Sequence, residues 1–404
     1  MSAISFYELR EKLLFFAEPL EKEEILLEEC AGRILAGDMA AKMNVPPFDR
    51  SPYDGYAFRA EDTKNASKEH PVTLRILEEI PAGGISHETV TAGTAVKILT
   101  GAPIPKGANA VVKYELTEYT DKEVRIFSAF QSGSNIVKTG EDIKEGDILI
   151  KSGTIIDAGA AGTLASQNVA RVWVHRIPKI GILSTGSELL AVGSAMEPGK
   201  IYNSNQYVLC AAVKQLGCEP VVLGMEADNA NSIARMIETG LGLFDMVILT
   251  GGVSVGDYDL TPAAMELAGV RILQRGVDFK PGMACAYGEK EGKLVCGLSG
   301  NPAAAITNFH LITAPLIRKI KGEAAYVPVE FPVKLLEAFP KKSPATRVLR
   351  GKMEVFNGEV GIRIPKEQGN VVLSSTIGCN LMAIVPAGSG PLEKGTVLKG
   401  FLIC

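Results

Sequence analysis

Phe244–Asp259 reads FDMVILTGGVSVGDYD, and the succession of residue types in it decides the fold class. Asp245 and Met246 lead into Val247-Ile248-Leu249. This apolar run has the composition of a strand covered on both faces of a parallel sheet. Thr250-Gly251-Gly252 breaks the run, and Val253-Ser254-Val255-Gly256 prolongs the break. Three glycines and two hydroxyls within seven residues let the backbone turn sharply and approach a ligand closely. Free N–H groups in such a turn suit an anion such as phosphate. Asp257 and Asp259 follow at once. Acids just past a phosphate-type loop point to a divalent cation or a repelled anion rather than to a second phosphate contact. The competing reading is a tight strand-to-helix turn with a capping Asp.

Working outward, residues 179–325 alternate strand and helix. KIGILSTGSELL is a strand, a turn at Ser184-Thr185-Gly186-Ser187, and a helix start bearing Glu188. Tyr207 to Leu216 is apolar at helical spacing and ends at Gly217. EPVVLGME is a strand, and Ala227-Asp228-Asn229 is an N-cap cluster for a helix over 232–241. Leu260 to Leu267 is a helix. VRILQRGVDFKPGMACAYG is strand, loop, strand. KLVCGLSGNPAAAITNFHLITAPLIRKI is strand, loop and long helix, with Asn301 as a possible cap and Pro302 in the first turn. Repeated strand–helix units imply a parallel α/β sheet with right-handed crossovers. Ligands of such sheets sit beyond the carboxyl ends of the strands. Polar Gly loops follow four strands, at 184–188, 250–259, 280–284 and 297–302, and their convergence marks a site better than any one of them.

The flanks read differently. Residues 4–18 form a helix with a Ser5/Glu8 capping box, an Ile4–Leu9 staple and Leu9, Leu13 and Phe16 on one face, limited by Pro19. A second short helix is expected near Ile25 to Leu35. VPPFDRSPYDGYAF at 45–58 is stiffened by Pro46, Pro47 and Pro52, with a turn at Asp54-Gly55. Residues 70–135 alternate as short strands, PVTLRILEEI, TAVKILTGA, NAVVKYELTEY and EVRIFSA, which predicts a small β domain. A kinked polar loop runs from Thr100 to Gly107, and Gly140-Glu141-Asp142 is a second acidic turn. From about 326 onward the pattern is all-β, a small barrel or sandwich. The expected domains are therefore 1–44 with 140–176 as scaffold, 45–139 as an inserted β domain, 177–325 as the α/β domain and 326–404 as a terminal β domain.

Composition removes several classes. With 404 residues the chain exceeds one core, and a net charge of −4 without a basic block argues against nucleic acid. No run of about 18 apolar residues occurs, so no membrane span is expected, and the charged N-terminus has no signal-peptide core. The seven cysteines are scattered without a CxxC, which suits a reducing cytoplasm and opposes a zinc site or disulfide frame. His70, His87, His175 and His310 show no triad or metal spacing.

Several stretches taken in order, FDRSPYDGYAFRAED, AVKILTGAPIPKGANAVV, GEDIKEGD, ILSTGSEL, IYNSN, LTGGVSVGDYD, KPG and GLSGNPAAA, resemble the MoeA family of molybdopterin molybdenumtransferases, shared with the E domain of gephyrin-like proteins. The resemblance runs along essentially the whole chain. It implies a MogA/MoaB-like α/β domain, an adenylylated molybdopterin substrate, molybdate, and a divalent metal, normally Mg2+, promoting loss of AMP. It also implies an elongated homodimer, with possible molybdoenzyme or cofactor-pathway partners. On this resemblance the pterin and its phosphate belong with Thr250, Gly251, Gly252, Val253 and Ser254 and with Ser184, Thr185 and Gly186. Lys280, Pro281 and Gly282, and Ser299, Gly300, Asn301 and Pro302, complete the binding loops, with Lys280 as a cation for phosphate or molybdate. Asp228, Asp257, Asp259 and Glu188 are assigned to metal and substrate orientation. Asp54, Thr100 and Asp142 are functional positions contributed from the second subunit.

The sequence departs from the family pattern at several points. Ser187 stands where an Asp is usual, Met283 and Ala284 replace a Lys and a Pro after KPG, and Ser299 replaces the first Pro of GLPGNP. Asn203, Asn109 and Ala227 each replace an acid, and Asn370 replaces a Ser, while Arg350 is kept. Met283 removes a cation that could hold an oxyanion. Beside the transferase three readings stay open: a carrier that binds molybdopterin without turnover, an enzyme using tungstate or a modified pterin, and a scaffolding dimer.

Overall fold

The stretch Met246–Thr250 forms a strand whose residues are all buried, as a run without polar alternation requires. The computed structural model describes residues 4–253, 260–356 and 358–403. This strand lies at the centre of a six-stranded sheet ordered Glu219–Glu226, Lys179–Thr185, Met246–Thr250, Lys293–Leu298, Ala286–Lys290, Arg271–Arg275. The first four pair in parallel. Ala286–Lys290 is antiparallel to both of its neighbours, so the sheet is mixed rather than purely parallel. The reason is local: only Glu291-Gly292 separates it from Lys293–Leu298, which leaves room for a hairpin and none for a crossover helix.

Helices cover the sheet. Ser204–Gln215, Ala230–Leu243 and Thr261–Leu267 follow successive strands. Asn229 caps Ala230–Leu243, its side chain accepting from the Asn231 and Ser232 N–H groups. From Pro302 one continuous helical run reaches Ile320, with a π-helical turn at Phe309–Thr313. The N-terminal helix Phe6–Leu14 has the expected reciprocal capping box between Ser5 and Glu8. Its buried Phe6, Leu9 and Leu13 share a core with Ile248, Phe309 and barrel residues Val348 and Met382.

Two local expectations fail. Lys22–Leu26 is a strand followed by a single 3-10 turn, not a helix. Its backbone pairs antiparallel with Arg171–His175, a non-local ladder that overrides helix propensity. Leu189–Leu190, after Glu188, is likewise extended and pairs in parallel with Ile201–Tyr202. That ribbon replaces the expected helix start.

Phe331–Leu335, Glu359–Arg363, Arg347–Phe356, Leu381–Val385 and Val397–Leu402 close into a five-stranded barrel around Val333, Leu349, Ile362 and Leu381. The chain divides into two compact units. One comprises 1–37, 152–158 and 171–404, and the other 38–151 and 159–170. The barrel and the α/β sheet thus belong to one unit, and the boundaries fall at 37 and 151 where 44 and 139 were expected. The second unit holds a six-stranded sheet ordered Ala110–Lys113, Gly55–Phe58, Thr94–Ile98, Val72–Ile80, Glu123–Ile126, Thr117–Tyr119. Among the described residues no helix is long and apolar enough to cross a membrane.

Candidate active site

The carboxyl ends of three parallel strands open into one cavity of about 560 Å³. Ser184, Thr185, Gly186 and Glu188 come from the first, Thr250 to Val253 from the second, and Ser299, Gly300, Asn301 and Pro302 from the third. Asp228 stands on the rim after the edge strand. The convergence expected of an α/β switch region is therefore present, built entirely within one compact unit.

Backbone geometry fixes the floor. Gly251 has φ +108°, and a Cβ there would stand 2.2 Å from the Thr185 carbonyl oxygen. No other residue type fits that crossing of two loops. Gly186 has φ +148°, with a Cβ meeting Glu188 Oε2 at 2.5 Å, so the Glu188 carboxylate folds back over the glycine. Thr261 Oγ1 donates to the Gly251 carbonyl at 2.8 Å and holds the turn from below.

Asparagines tie the loops together. Asn205 Nδ2 donates to Thr250 Oγ1 at 2.6 Å and to the Gly300 carbonyl at 2.8 Å. Its Oδ1 is buried and has no hydrogen-bond partner among the described residues. Asn203 caps the helix Ser204–Gln215, and its Oδ1 accepts from Gln206 N–H and from Ser184 Oγ, both at 3.2 Å. Neither asparagine was singled out as a binding residue from the sequence, although both lie in the quoted IYNSN. The signal was there in the alternation of a capping residue with a second polar side chain two positions on.

Glu188 and Asp228 are the carboxylates in the described lining. Asp228 Oδ2 accepts from Ser187 N–H at 3.0 Å, and Ser187 Oγ accepts from Asp228 N–H at 3.1 Å. Ser187 therefore clamps the acid loop where the family places a further acid. Lys200 Nζ donates to the Ser187 carbonyl at 2.5 Å on the same rim. Ser254, Asp257 and Asp259 lie outside the described residues. Among those described, no group of three or more His, Cys, Asp or Glu side chains could hold a metal ion.

The loop 280–284 reaches the cavity only through Ala284. Lys280, Pro281 and Gly282 do not line it. The backbone explains this: Lys280 N donates to Thr346 O at 2.9 Å, and Val348 N donates to Lys280 O at 2.8 Å, so the loop is drawn onto the barrel. Met283 is 40% exposed and presents no cation. Ser299 Oγ accepts from Asn301 N–H at 3.2 Å. The barrel supplies Val371 to the lining, and the Asn370 carbonyl accepts from Ala303 N–H in the first turn of the helix from Pro302.

Behind that helix the Arg350 guanidinium is almost wholly buried, and burial lowers its pKa. It donates to Thr307 Oγ1 at 3.4 Å, Ser375 Oγ at 3.1 Å and the Gly369 carbonyl at 3.5 Å.

Asp54, Thr100 and Asp142 belong to the other unit and are surface residues or nearly so. The Thr100 hydroxyl and the Thr100 N–H both donate to Asp54 Oδ1 at 2.7 Å. In that order they hold the Asp54 carboxyl below its ordinary range. Asn109, in place of an acid, accepts from Ala60 N–H at 2.7 Å and donates to Glu61 at 3.0 Å.

Known proteins match this chain along most of its length. Residues 4–167 match the MoeA N-terminal region, domains I and II, and residues 181–319 match a probable molybdopterin binding domain. The molybdopterin molybdenumtransferase of Staphylococcus epidermidis is 36% identical over 381 residues, covering 94% of this chain and 90% of that one. That of Bacillus subtilis is 36% identical over 396 residues, covering 97% and 92%. The crystal structure of the molybdopterin biosynthesis moeA protein from Pyrococcus horikoshii superposes with a TM-score of 0.86 at 32% identity, covering 99% of this chain and all of that one. Fold and sequence identity along the chain agree, and the chain belongs to the MoeA family of molybdopterin molybdenumtransferases.

Proposed function

We propose that this protein is a molybdopterin molybdenumtransferase that joins molybdenum from molybdate to adenylylated molybdopterin, with release of AMP, in molybdenum cofactor biosynthesis. The observation that carries the reading is the single cavity in which the 184–188, 250–253 and 299–302 loops meet beneath Glu188 and Asp228. Its volume suits a pterin with an attached phosphate, since small-molecule sites commonly span about 300–1,000 Å³.

Each part of the wall has a task in this reading. The Gly252 N–H faces phosphate oxygens in this reading, while the Gly251 N–H, which donates to the Leu298 carbonyl, and the Ser184 and Thr185 hydroxyls, which donate to Asn203 Oδ1 and the Thr250 carbonyl, hold the loops around it. Asn205 fixes the turn by holding Thr250 and Gly300. Glu188 and Asp228 are the carboxylates that would hold Mg2+, an ion commonly taken by one or two protein carboxylates beside a phosphate. Bound there, the ion would supply charge neutralisation for loss of AMP. The residues themselves orient the anhydride, which this chemistry needs more than a covalent nucleophile. Asp257 and Asp259 are assigned to the same acid group. Asp54, Thr100 and Asp142 act from a second subunit of a homodimer, in the cytoplasm.

A second reading, a carrier that binds molybdopterin without turnover, draws on Met283, which places an exposed thioether where the family has a cation. One assay separates the two. Purified protein with adenylylated molybdopterin and Mg2+ is given molybdate, tungstate or no oxyanion, and AMP release is followed. Oxyanion-dependent release that disappears in Glu188→Ala and Asp228→Ala supports the transferase. Tight binding with no release under any condition leaves the carrier.

A further inference from the structure

A second cavity, of about 430 Å³, opens in the terminal barrel between residues 337–341 and 363–368. It lies outside the lining of the first cavity and has no part in the reading above. Its wall is apolar over Phe339, Pro340, Ile364 and Pro365. Phe339 is firmly placed: its backbone exchanges two hydrogen bonds of 2.8 Å with Leu392, and the Arg347 guanidinium lies 5.5 Å from its ring centroid.

The charges of the wall are unequal. Arg363 is neutralised by Glu337 and by a two-pronged contact to Glu354, at 2.6 and 2.8 Å. Lys341 and Lys366, both exposed on the rim, take part in none of the ion pairs among the described residues. Glu337 and Glu354 together outweigh Arg363 by one charge, so Lys341 and Lys366 leave this end of the barrel with one surplus positive charge above the apolar wall, which matches a ligand with an apolar body and one anionic head. The neutral end of the wall is also fixed. Gln368, 6% exposed, donates from Nε2 to the Arg350 carbonyl at 2.8 Å and accepts from Arg350 N–H at 3.1 Å. Three residues further on, Val371 lines the first cavity, so one short segment borders both.

We infer that the barrel carries a second small-molecule site, which takes an aryl or comparably apolar body bearing a phosphate, sulfonate or carboxylate held by Lys341 and Lys366. The volume falls within the range of about 300–1,000 Å³ usual for such sites. The anionic head selects orientation and the apolar wall supplies most of the contact area.

The test uses the full-length protein and phenyl phosphate as probe, titrated calorimetrically and by ligand-observed NMR. Saturable binding is expected, about tenfold weaker in Lys341→Glu/Lys366→Glu and unchanged in Lys352→Glu, an exposed barrel lysine outside the wall. Inorganic phosphate and phenol should each bind at least about tenfold more weakly than the probe. Both targeted lysines are surface residues, so the variants fold, and equal thermal midpoints verify this. Undiminished affinity in the double variant would place the probe elsewhere, the first cavity included, and overturn the proposal. Inorganic phosphate binding as well as phenyl phosphate would also overturn it, since the apolar wall would then contribute nothing. Absence of saturable binding overturns it outright. None of these outcomes bears on AMP release at the first cavity.

Discussion

Asn205 Nδ2 and Thr250 Oγ1 lie 2.6 Å apart across the cavity floor, and the same nitrogen spends its other hydrogen on the Gly300 carbonyl. Because a carbonyl only accepts, the amide orientation is fixed and Oδ1 is left as a buried acceptor, unpartnered among the described residues. Asn205→Ala therefore unties the Thr250 and Gly300 loops from the helix Ser204–Gln215 at once. The expected cost is about 1–2 kcal/mol in stability, seen as a lowered denaturation midpoint, with at least about tenfold weaker molybdopterin binding. Full affinity in this variant would mean that the loops hold their positions without it.

Gly251→Ala is the sharper test of the floor. The added methyl must displace the Thr185 carbonyl, 2.2 Å away, from a backbone already at φ +108°. Strain and clash together should cost roughly 3 kcal/mol and abolish turnover. Gly242→Ala, in an open helical position with nothing within 4 Å, should leave both stability and turnover near wild type. Chemical denaturation and AMP release measure the pair.

Asp54 and Thr100 separate stability from activity. Asp54 is exposed, so Asp54→Asn should lower the thermal midpoint only slightly while turnover falls. The pH dependence has a defined sign. The Thr100 hydroxyl, then its N–H, lower the Asp54 pKa, so the carboxylate persists as pH falls until the depressed pKa is reached. Thr100→Val removes the hydroxyl and moves that pKa back up. The acid limb of the activity profile should then shift to higher pH, and an unshifted limb would remove Asp54 from the reaction.

The small β unit should be sensitive to alkali. Burial first, then Tyr119 and Glu79, push the Tyr56 phenol up to about 12, and its hydroxyl has no partner among the described residues. A raised folded pKa means this contribution is whole below the ordinary pKa of about 10 and is lost as pH rises from there towards 12. Phenolate absorbance and loss of circular dichroism should therefore rise together. Tyr56→Phe, which deletes the unpartnered hydroxyl, should stabilise the unit by about 1 kcal/mol at neutral pH. Early phenolate without unfolding would contradict the burial argument.

The legible parts of the fold were those where one local rule acted alone. The apolar run before Thr250, the Ser5/Glu8 box and the Asn229 cap each followed from composition and spacing. The terminal domain was legible as a small barrel-like unit from its short strands with Gly and Pro turns, and its five strands do close into a barrel. Lys22–Leu26 and Leu189–Leu190 were misread because their strand partners, Arg171–His175 and Ile201–Tyr202, had no local signature. Much the same holds for the site. The Gly loops at 184, 250 and 299 announced themselves by residue type, and the family motifs pointed to Glu188 and Asp228. Asn205 escaped notice because its importance lies in two contacts, 45 and 95 residues away in sequence. Lys280 looked like a cavity cation, yet its backbone pairs with the barrel, a tertiary fact that no motif records.

That the cavity wall reaches from Ser184 to Val371, and that the helix from Pro302 receives its first-turn partner from Asn370, sets a schedule for the nascent chain. The sheet strands can pair early in synthesis, but the pocket has no complete wall until the barrel has left the ribosome. A chain cut short before the barrel would present its Gly loops without Val371 and without the Asn370 partner of Ala303.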